Sequence, residues 1–268
     1  MGPLRCVRTV LASFFGHRYG GAVGAELAGG KSCSIALATL LTLASPAAVH
    51  AFAPQDATAQ TAMDTMAQRM QACALCHGKE GRATRAGYFP RIAGKPAGYL
   101  FNQLKNFQEG RRSNQTMNQF LLTMSDDYLH EIADYFAALD LPYPPAASSG
   151  LDAAQQGLAQ SLALHGAPER KIPACVTCHG SQLAGRLPAT PGLLSLPAFY
   201  LSGQLGAWRT NTRKAKAPDC MADIAKRLEP EEIDALAHWL SSQSLPAGTQ
   251  PERASTQLLP LACGSAGR

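Results

Sequence analysis

Two short runs in this 268-residue chain carry side chains that can do chemistry: Cys73-Ala-Leu-Cys76-His77 and Cys175-Val-Thr-Cys178-His179. In a Cys-x-x-Cys-His run the two thiols lie about one helical turn apart, so each can add to a vinyl group of the same haem. The imidazole that follows then reaches the iron from the same side. A bare Cys-x-x-Cys would suit a redox dithiol or half a zinc site. The adjoining histidine and the repetition favour haem in both copies. The expectation is two covalently held haem c groups, with His77 and His179 as iron ligands.

The elements that must position these runs repeat with them. Cys175 follows Cys73 by 102 residues, and Tyr99-Leu-Phe-Asn-Gln-Leu104 matches Tyr200-Leu-Ser-Gly-Gln-Leu205 at an offset of 101. Pro90 falls on Pro191, Phe107 on Trp208 and Arg112 on Arg213 at that same offset of 101, and Ser125–Leu139 matches the stretch from Glu229 to Leu240 at 104. Apolar residues recur at helical spacing in each unit: Met63, Met66 and Met70 before the first motif, and Leu158, Leu162 and Leu164 before the second. A stripe of Leu100, Leu104 and Phe107 is repeated by Leu201, Leu205 and Trp208. The last helix of the first unit turns Leu129, Ile132, Ala133, Phe136 and Leu139 inward behind Ser125, Asp126 and Asp127 as cap and first-turn acids. Its copy starts Pro230-Glu231-Glu232. No segment alternates as a strand, so the fold class is all-α.

Prolines and small residues between the copies cannot continue a helix and read as a linker. The chain divides into an export segment (1–52), a first helical domain (53–140), a proline-rich linker (141–150), a second helical domain (151–245) and a C-terminal tail (246–268). Units of roughly 90 residues are marginal on a protein core alone, and a covalent haem would supply an apolar centre.

The repeat also selects the sixth iron ligands. Met221 is the one methionine of the second unit and stands eight residues before Glu229, as Met117 stands eight before Ser125. A thioether opposite a histidine gives the six-coordinate iron used for electron transfer. Met63, Met66, Met70 and Met124 read as core filler. His130, His165 and His238 have no matching partners across the repeat and read as solvent-facing, while Cys220 remains open as a thiolate ligand. Cys220 and Cys263 would form a disulfide fastening the tail over the methionine loop, or remain as two free thiols.

Arg5, Arg8, Arg18 and Lys31 precede the apolar run Ser34–Ala44, a signal-peptide core with small residues suited to cleavage after Ala51 or Ala53. The long stretch before Lys31 suits a start further in, and an uncleaved anchor is the competing reading. With 46% hydrophobic and 16% charged residues the chain is globular. The segment 1–51 carries four basic residues and one acid, which leaves +2 of the formal +5 beyond it, before haem propionates are counted. No basic stripe supports nucleic-acid binding.

From about Met63 to Gln243 the chain resembles the diheme cytochrome c4 family, two class I cytochrome c domains in tandem. The resemblance rests on the two Cys-x-x-Cys-His runs, the Tyr-Leu-x-x-Gln-Leu elements and the methionines eight residues ahead of the last helices. Lys95 and the pair Ser195-Leu196 depart from the Gly-Gln pairs usual there. The resemblance implies that the Pro90 and Pro191 carbonyls accept from His77 and His179. It also implies that Tyr99, Tyr200, Arg112 and Arg213 reach haem propionates, and that the domains face each other about a pseudo-twofold. The function expected is periplasmic single-electron transport between respiratory partners, an oxidase, reductase or dehydrogenase, compatible with peripheral membrane association. The alternatives are a haem subunit of a dehydrogenase complex and a diheme enzyme of the thiosulfate dehydrogenase or peroxidase kind.

Overall fold

The computed structural model describes residues 64–84, 88–245, 250–256 and 258–267. The export segment, Met63, Cys6 and Cys33 lie outside them. Helices dominate. In the first half these are α1 (Met66–Arg69), α2 (Gln71–His77), α3 (Ala97–Gln108), α4 (Gln115–Leu121) and α5 (Asp126–Ala137). In the second half they are α6 (Ala153–Leu164), α7 (Cys175–His179), α8 (Ala198–Arg209), α9 (Cys220–Ala225) and α10 (Pro230–Ser242). A two-residue hairpin, β1 (Gly185–Arg186) against β2 (Thr190–Pro191), is an addition that no alternation of residues announced.

The helix starts follow from their caps. Thr65 closes a capping box with Gln68 ahead of α1, and Asp152 does so with Gln155 ahead of α6. Ser125 accepts from the Tyr128 amide at 3.3 Å to open α5. Glu229 and Glu232 form the box that opens α10, with Pro230 in its first turn. The bounds of α3 and α8 differ by 101 residues at both ends, and Pro96 and Pro197 stand just ahead of them.

Each half closes its own core. In the first, α3 packs on α5 and buries Leu100 and Phe107 against Leu129, Ile132, Ala133 and Phe136, with Met70 behind them. In the second, α10 packs on both α8 and α6 and buries Leu162, Leu201, Ile233, Leu236 and Leu240. Each such side chain contributes about 1.5–3 kcal/mol when fully buried. Met66 and Met124 pack at the edge of the first core, as filler should. Leu158 does not join the second: it is exposed, and Ala159, Leu162 and Ala163 form the inward face of α6 instead, so the stripe runs one residue later than the leucines suggest.

Residues 139–152 carry no regular element. Buried Arg91 holds their start, donating to the carbonyls of Leu141 at 2.5 Å and Pro142 at 3.1 Å while its guanidinium lies 3.8 Å from the centre of the Tyr143 ring. The tail is also held. Glu252 exchanges backbone bonds with Gly185 and Leu187 at the hairpin, Cys263 is disulfide-bonded to Cys220, and the Ser265 carbonyl accepts from Asn102 of α3 at 2.9 Å.

Candidate haem-binding site

Both Cys-x-x-Cys-His runs lie on short helices, α2 and α7, so each pair of thiols shares one helical face. Gly78 and Gly180 end these helices at φ 75° and 90°, a region open to glycine that lets the chain leave immediately after the histidine. His77 Nδ1 lies 2.9 Å from the Pro90 carbonyl oxygen, and His179 Nδ1 lies 2.8 Å from that of Pro191. A carbonyl can only accept, so Nδ1 carries the proton in both rings and Nε2 keeps its lone pair free.

Burial holds both imidazoles below their usual protonation range. The proline bonds oppose this, and Arg112 at the first ring, with Arg186 and Lys95 at the second, reinforce it. The neutral form is the one that binds a metal. All four motif cysteines are free. Burial pushes Cys73 and Cys178 up and Cys175 up to about 11, the reverse of the depressed value that makes a dithiol reactive in exchange. These directions lend the redox-dithiol reading no support.

Met117 lies on α4 and Met221 on α9, each behind a capping side chain: Asn114 accepts from the Met117 amide at 3.1 Å and Asp219 from the Ala222 amide at 3.1 Å. One cavity of about 600 Å³ runs through both halves and is lined by both motifs and by both of these methionines. Its remaining wall is largely apolar, from Leu100, Phe107 and Phe136 in the first half and Leu201, Trp208 and Leu240 in the second.

Between the halves the cavity carries a polar ladder. Arg112 donates to Gln103 at 3.2 Å, to Gln204 at 2.9 Å and to the Tyr200 hydroxyl at 3.1 Å. Arg213 donates to Gln204 at 2.6 Å and to Gln103 at 2.9 Å. The two arginines also pair as an antiparallel bridge, with the Lys214 amide donating to the Arg111 carbonyl at 2.7 Å. The glutamines were not singled out in the sequence. Their signal was there, since Gln103 and Gln204 hold the same place in the two Tyr-Leu-x-x-Gln-Leu elements.

The cavity suits two haems. Neither arginine has a carboxylate partner among the described residues, and burial, followed by the Arg112 charge, holds Arg213 down to about 10. The indole Nε1–H of Trp208 is buried on the cavity wall without a hydrogen-bond partner. Buried cations and an unused donor around an apolar slot match a flat apolar group with acidic arms.

The other histidines stand outside this arrangement. His130 is exposed and stacks on Phe101 with ring centres 3.7 Å apart, His165 caps α6, and His238 lies 3.5 Å from Asp234. Cys220, in its disulfide with Cys263, is no thiolate ligand. The disulfide fastens the tail beside Met221, and the Gly264 amide donates to the Pro218 carbonyl at 2.9 Å on the same loop.

Two helical halves, each with a Cys-x-x-Cys-His helix and a methionine helix opening on one cavity, define a tandem class I c-type cytochrome. No protein-family model matches the chain. It is 40% identical over 171 residues to a thiosulfate dehydrogenase electron acceptor of Stutzerimonas stutzeri, covering 64% of this chain and 78% of that one. It is 32% identical over 174 residues to cytochrome c4 of Thiocapsa roseopersicina, covering 64% and 87%. The crystal structure of reduced cytochrome c4 from Pseudomonas stutzeri superposes with a TM-score of 0.57 at 28% identity, covering 66% of this chain and 95% of that one. The chain belongs to the diheme cytochrome c4 family, and it is an electron-transfer protein with two covalent haem c groups, one in each half.

Proposed function

We propose that this chain is a periplasmic electron acceptor for a sulfur-compound dehydrogenase, oxidising thiosulfate or a related donor, and that it hands single electrons on to a respiratory oxidase or reductase. Cys73, Cys76, Cys175 and Cys178 hold the haems as thioethers. His77 with Met117, and His179 with Met221, ligate the two irons, and Arg112, Arg213, Tyr99 and Tyr200 bond the propionates. Haem supplies one-electron exchange.

The chain's own residues do the rest. Pro90 and Pro191 fix the tautomer of each proximal ring, the apolar walls exclude water, and the two methionines keep the sixth positions filled. The observation that carries the reading is the pairing of equivalent ligand sets in a single cavity across the Arg–Gln ladder, an arrangement for passing electrons between two like centres. A methionine in both halves speaks against an exchangeable site of the kind catalysis at haem needs. The choice of donor rests on the relative named as a thiosulfate dehydrogenase electron acceptor. No helix among the described residues is long and apolar enough to cross a membrane. The export-like segment 1–52 supports a periplasmic address.

The test begins with the optical spectrum and pyridine haemochrome of the purified holoprotein. Two haems per chain and a far-red sulfur-to-iron band that is halved by Met117→Ala and by Met221→Ala would support the ligand assignment. Rapid mixing with a thiosulfate dehydrogenase and thiosulfate should then reduce both haems. Failure of reduction with that enzyme, alongside reduction by another periplasmic dehydrogenase, would overturn the choice of donor and leave the carrier role standing.

A further inference from the structure

The two halves repeat Arg112 with Arg213, Gln103 with Gln204 and Tyr99 with Tyr200, but Arg91, Lys95 and Asp219 on the cavity wall have no charged counterpart, and of these Lys95 reaches from the first half to the second. Lys95 belongs to the first half, where it precedes the Pro96 that opens α3. It is 5% exposed, lines the cavity, and has no carboxylate within ion-pair distance among the described residues. Its Nζ donates across the interface to the Gly192 carbonyl at 3.4 Å and lies 5.7 Å from the centre of the Tyr143 ring. Gly192 directly follows Pro191, whose carbonyl takes the Nδ1 proton of His179. At the repeat offset of 101 the equivalent position is Leu196, buried and apolar.

A buried ammonium with only a carbonyl and an aromatic face is costly, and the low-dielectric surroundings that make it so also leave its field unscreened. The other cations near the two sites are placed differently. Arg112 and Arg213 are related by the repeat and share the same two glutamines, so each has its counterpart in the other half. Arg91 is directed to the carbonyls of Ala93, Leu141 and Pro142 within its own half and the linker. Arg186 also acts on His179, but it belongs to the second half itself and its charge is partly offset by Glu252 at 3.1 Å.

We propose that Lys95 is a potential-setting residue for the second haem, lent by the first half across the interface to the wall beside His179. A fixed positive charge favours the reduced iron, which carries one charge less than the oxidised iron, so Lys95 raises the reduction potential of the second haem relative to the first. It biases the electron shared by the two haems toward the second half. The inference rests on His179 serving the second haem and goes beyond that assignment, because it names a residue that makes two similar centres unequal.

The experiment is a spectroelectrochemical titration of holoprotein carrying Lys95→Gln, Lys95→Met or Lys95→Arg, with the haems told apart by their ferric methyl proton resonances. Lys95→Gln and Lys95→Met are expected to lower the second haem's potential more than the first, and Lys95→Arg to keep most of the native separation. Because the group is buried, the shift should persist at high ionic strength. Unchanged potentials, equal shifts in both haems, or an arginine variant that behaves like glutamine would each overturn the proposal. Haem count and the sulfur-to-iron band report on the ligands separately. Their loss in the unmutated protein would sink the ligand assignment, whereas their retention with unmoved potentials would sink only the role of Lys95.

Discussion

Arg112 of the first half and Gln204 of the second are hydrogen-bonded at 2.9 Å, and the same amide oxygen of Gln204 accepts from Arg213 at 2.6 Å. Gln103 repeats the arrangement from the other side, at 3.2 Å from Arg112 and 2.9 Å from Arg213. Each glutamine therefore stitches its own half to the other through two guanidiniums that would otherwise repel. These reciprocal bonds fit the pseudo-twofold that the family resemblance implies.

Removing one rung leaves two guanidinium N–H groups short of an acceptor, one on buried Arg213 and one on half-buried Arg112. Gln204→Ala should cost about 1–3 kcal/mol, and Gln103→Ala a similar amount. The double variant should lose less than the sum, because the two glutamines serve the same pair of arginines. Thermal unfolding of the holoproteins gives the three values. Strict additivity would mean that the rungs act independently.

Trp208 and Phe107 occupy equivalent places in the repeat, and each lies under an arginine, Arg213 at 3.7 Å and Arg112 at 4.5 Å from the ring centre. They differ in the one N–H that the second half holds without a partner. With the indole N–H taken to donate to a haem propionate in the holoprotein, Trp208→Phe should keep the fold and both haems while losing roughly 1–2 kcal/mol from that bond and from a weaker cation–π contact. Calorimetry of the holoprotein checks this. No loss would mean that the indole N–H contributes nothing to haem binding.

Much of this site was legible in the sequence because the repeat compares the chain with itself. His77, His179, Met117, Met221 and the two prolines could all be nominated by register, and the two histidines lie 2.9 and 2.8 Å from the proline carbonyls that the resemblance named. What breaks the repeat was harder to read. Lys95 looked like a departure at a loop position, and only its burial and reach to Gly192 give it meaning. Gln103 and Gln204 were visible as motif letters but not as a ladder, since no one-dimensional pattern says that each faces the other half's arginine. The hairpin at Gly185–Arg186 and Thr190–Pro191 depends on pairing across a turn and on Glu252 from the tail, contacts that local periodicity does not encode.

The disulfide between Cys220 and Cys263 closes a loop with a sequence separation of 43, next to Met221. Chain-entropy arguments put the value of such a loop at about 4 kcal/mol, and less here because a covalent haem already restrains the unfolded chain. The Cys220→Ser/Cys263→Ser protein should unfold at a lower temperature and bind cyanide at the second haem faster, as the tail loosens over the Met221 loop. Gly264→Ala should push in the same direction with the disulfide intact, because an added Cβ would collide with the Ala217 carbonyl. Cyanide binding as slow as in the unmutated protein, in both variants, would show that the tail does not guard the ligand position proposed for Met221.

Arg170 and Glu232 join the segment ahead of the second haem motif to the first turn of α10, with two bonds of 2.9 and 2.6 Å. The Arg170 bonds hold the Glu232 carboxyl below the ordinary glutamate range, against the opposing effect of burial. A depressed carboxyl adds stability that is complete above the unfolded value, about pH 4.3, and is lost as pH falls through the folded one. Glu232→Gln can keep the oxygen that accepts from the Glu229 amide at 2.9 Å, so the capping box survives while the charge and the 2.6 Å bond from Arg170 to the other oxygen are removed. The variant should be less stable than the native protein at pH 7, and the gap should close as both are titrated below pH 4.3. Other carboxylates lowered by their partners, such as Glu252 with Ser181 and Arg186, titrate in both proteins and cancel in the difference. Denaturant unfolding of the two holoproteins between neutral and acid pH measures the gap, and a gap that stays constant through that range would assign the loss to packing instead of the ion pair.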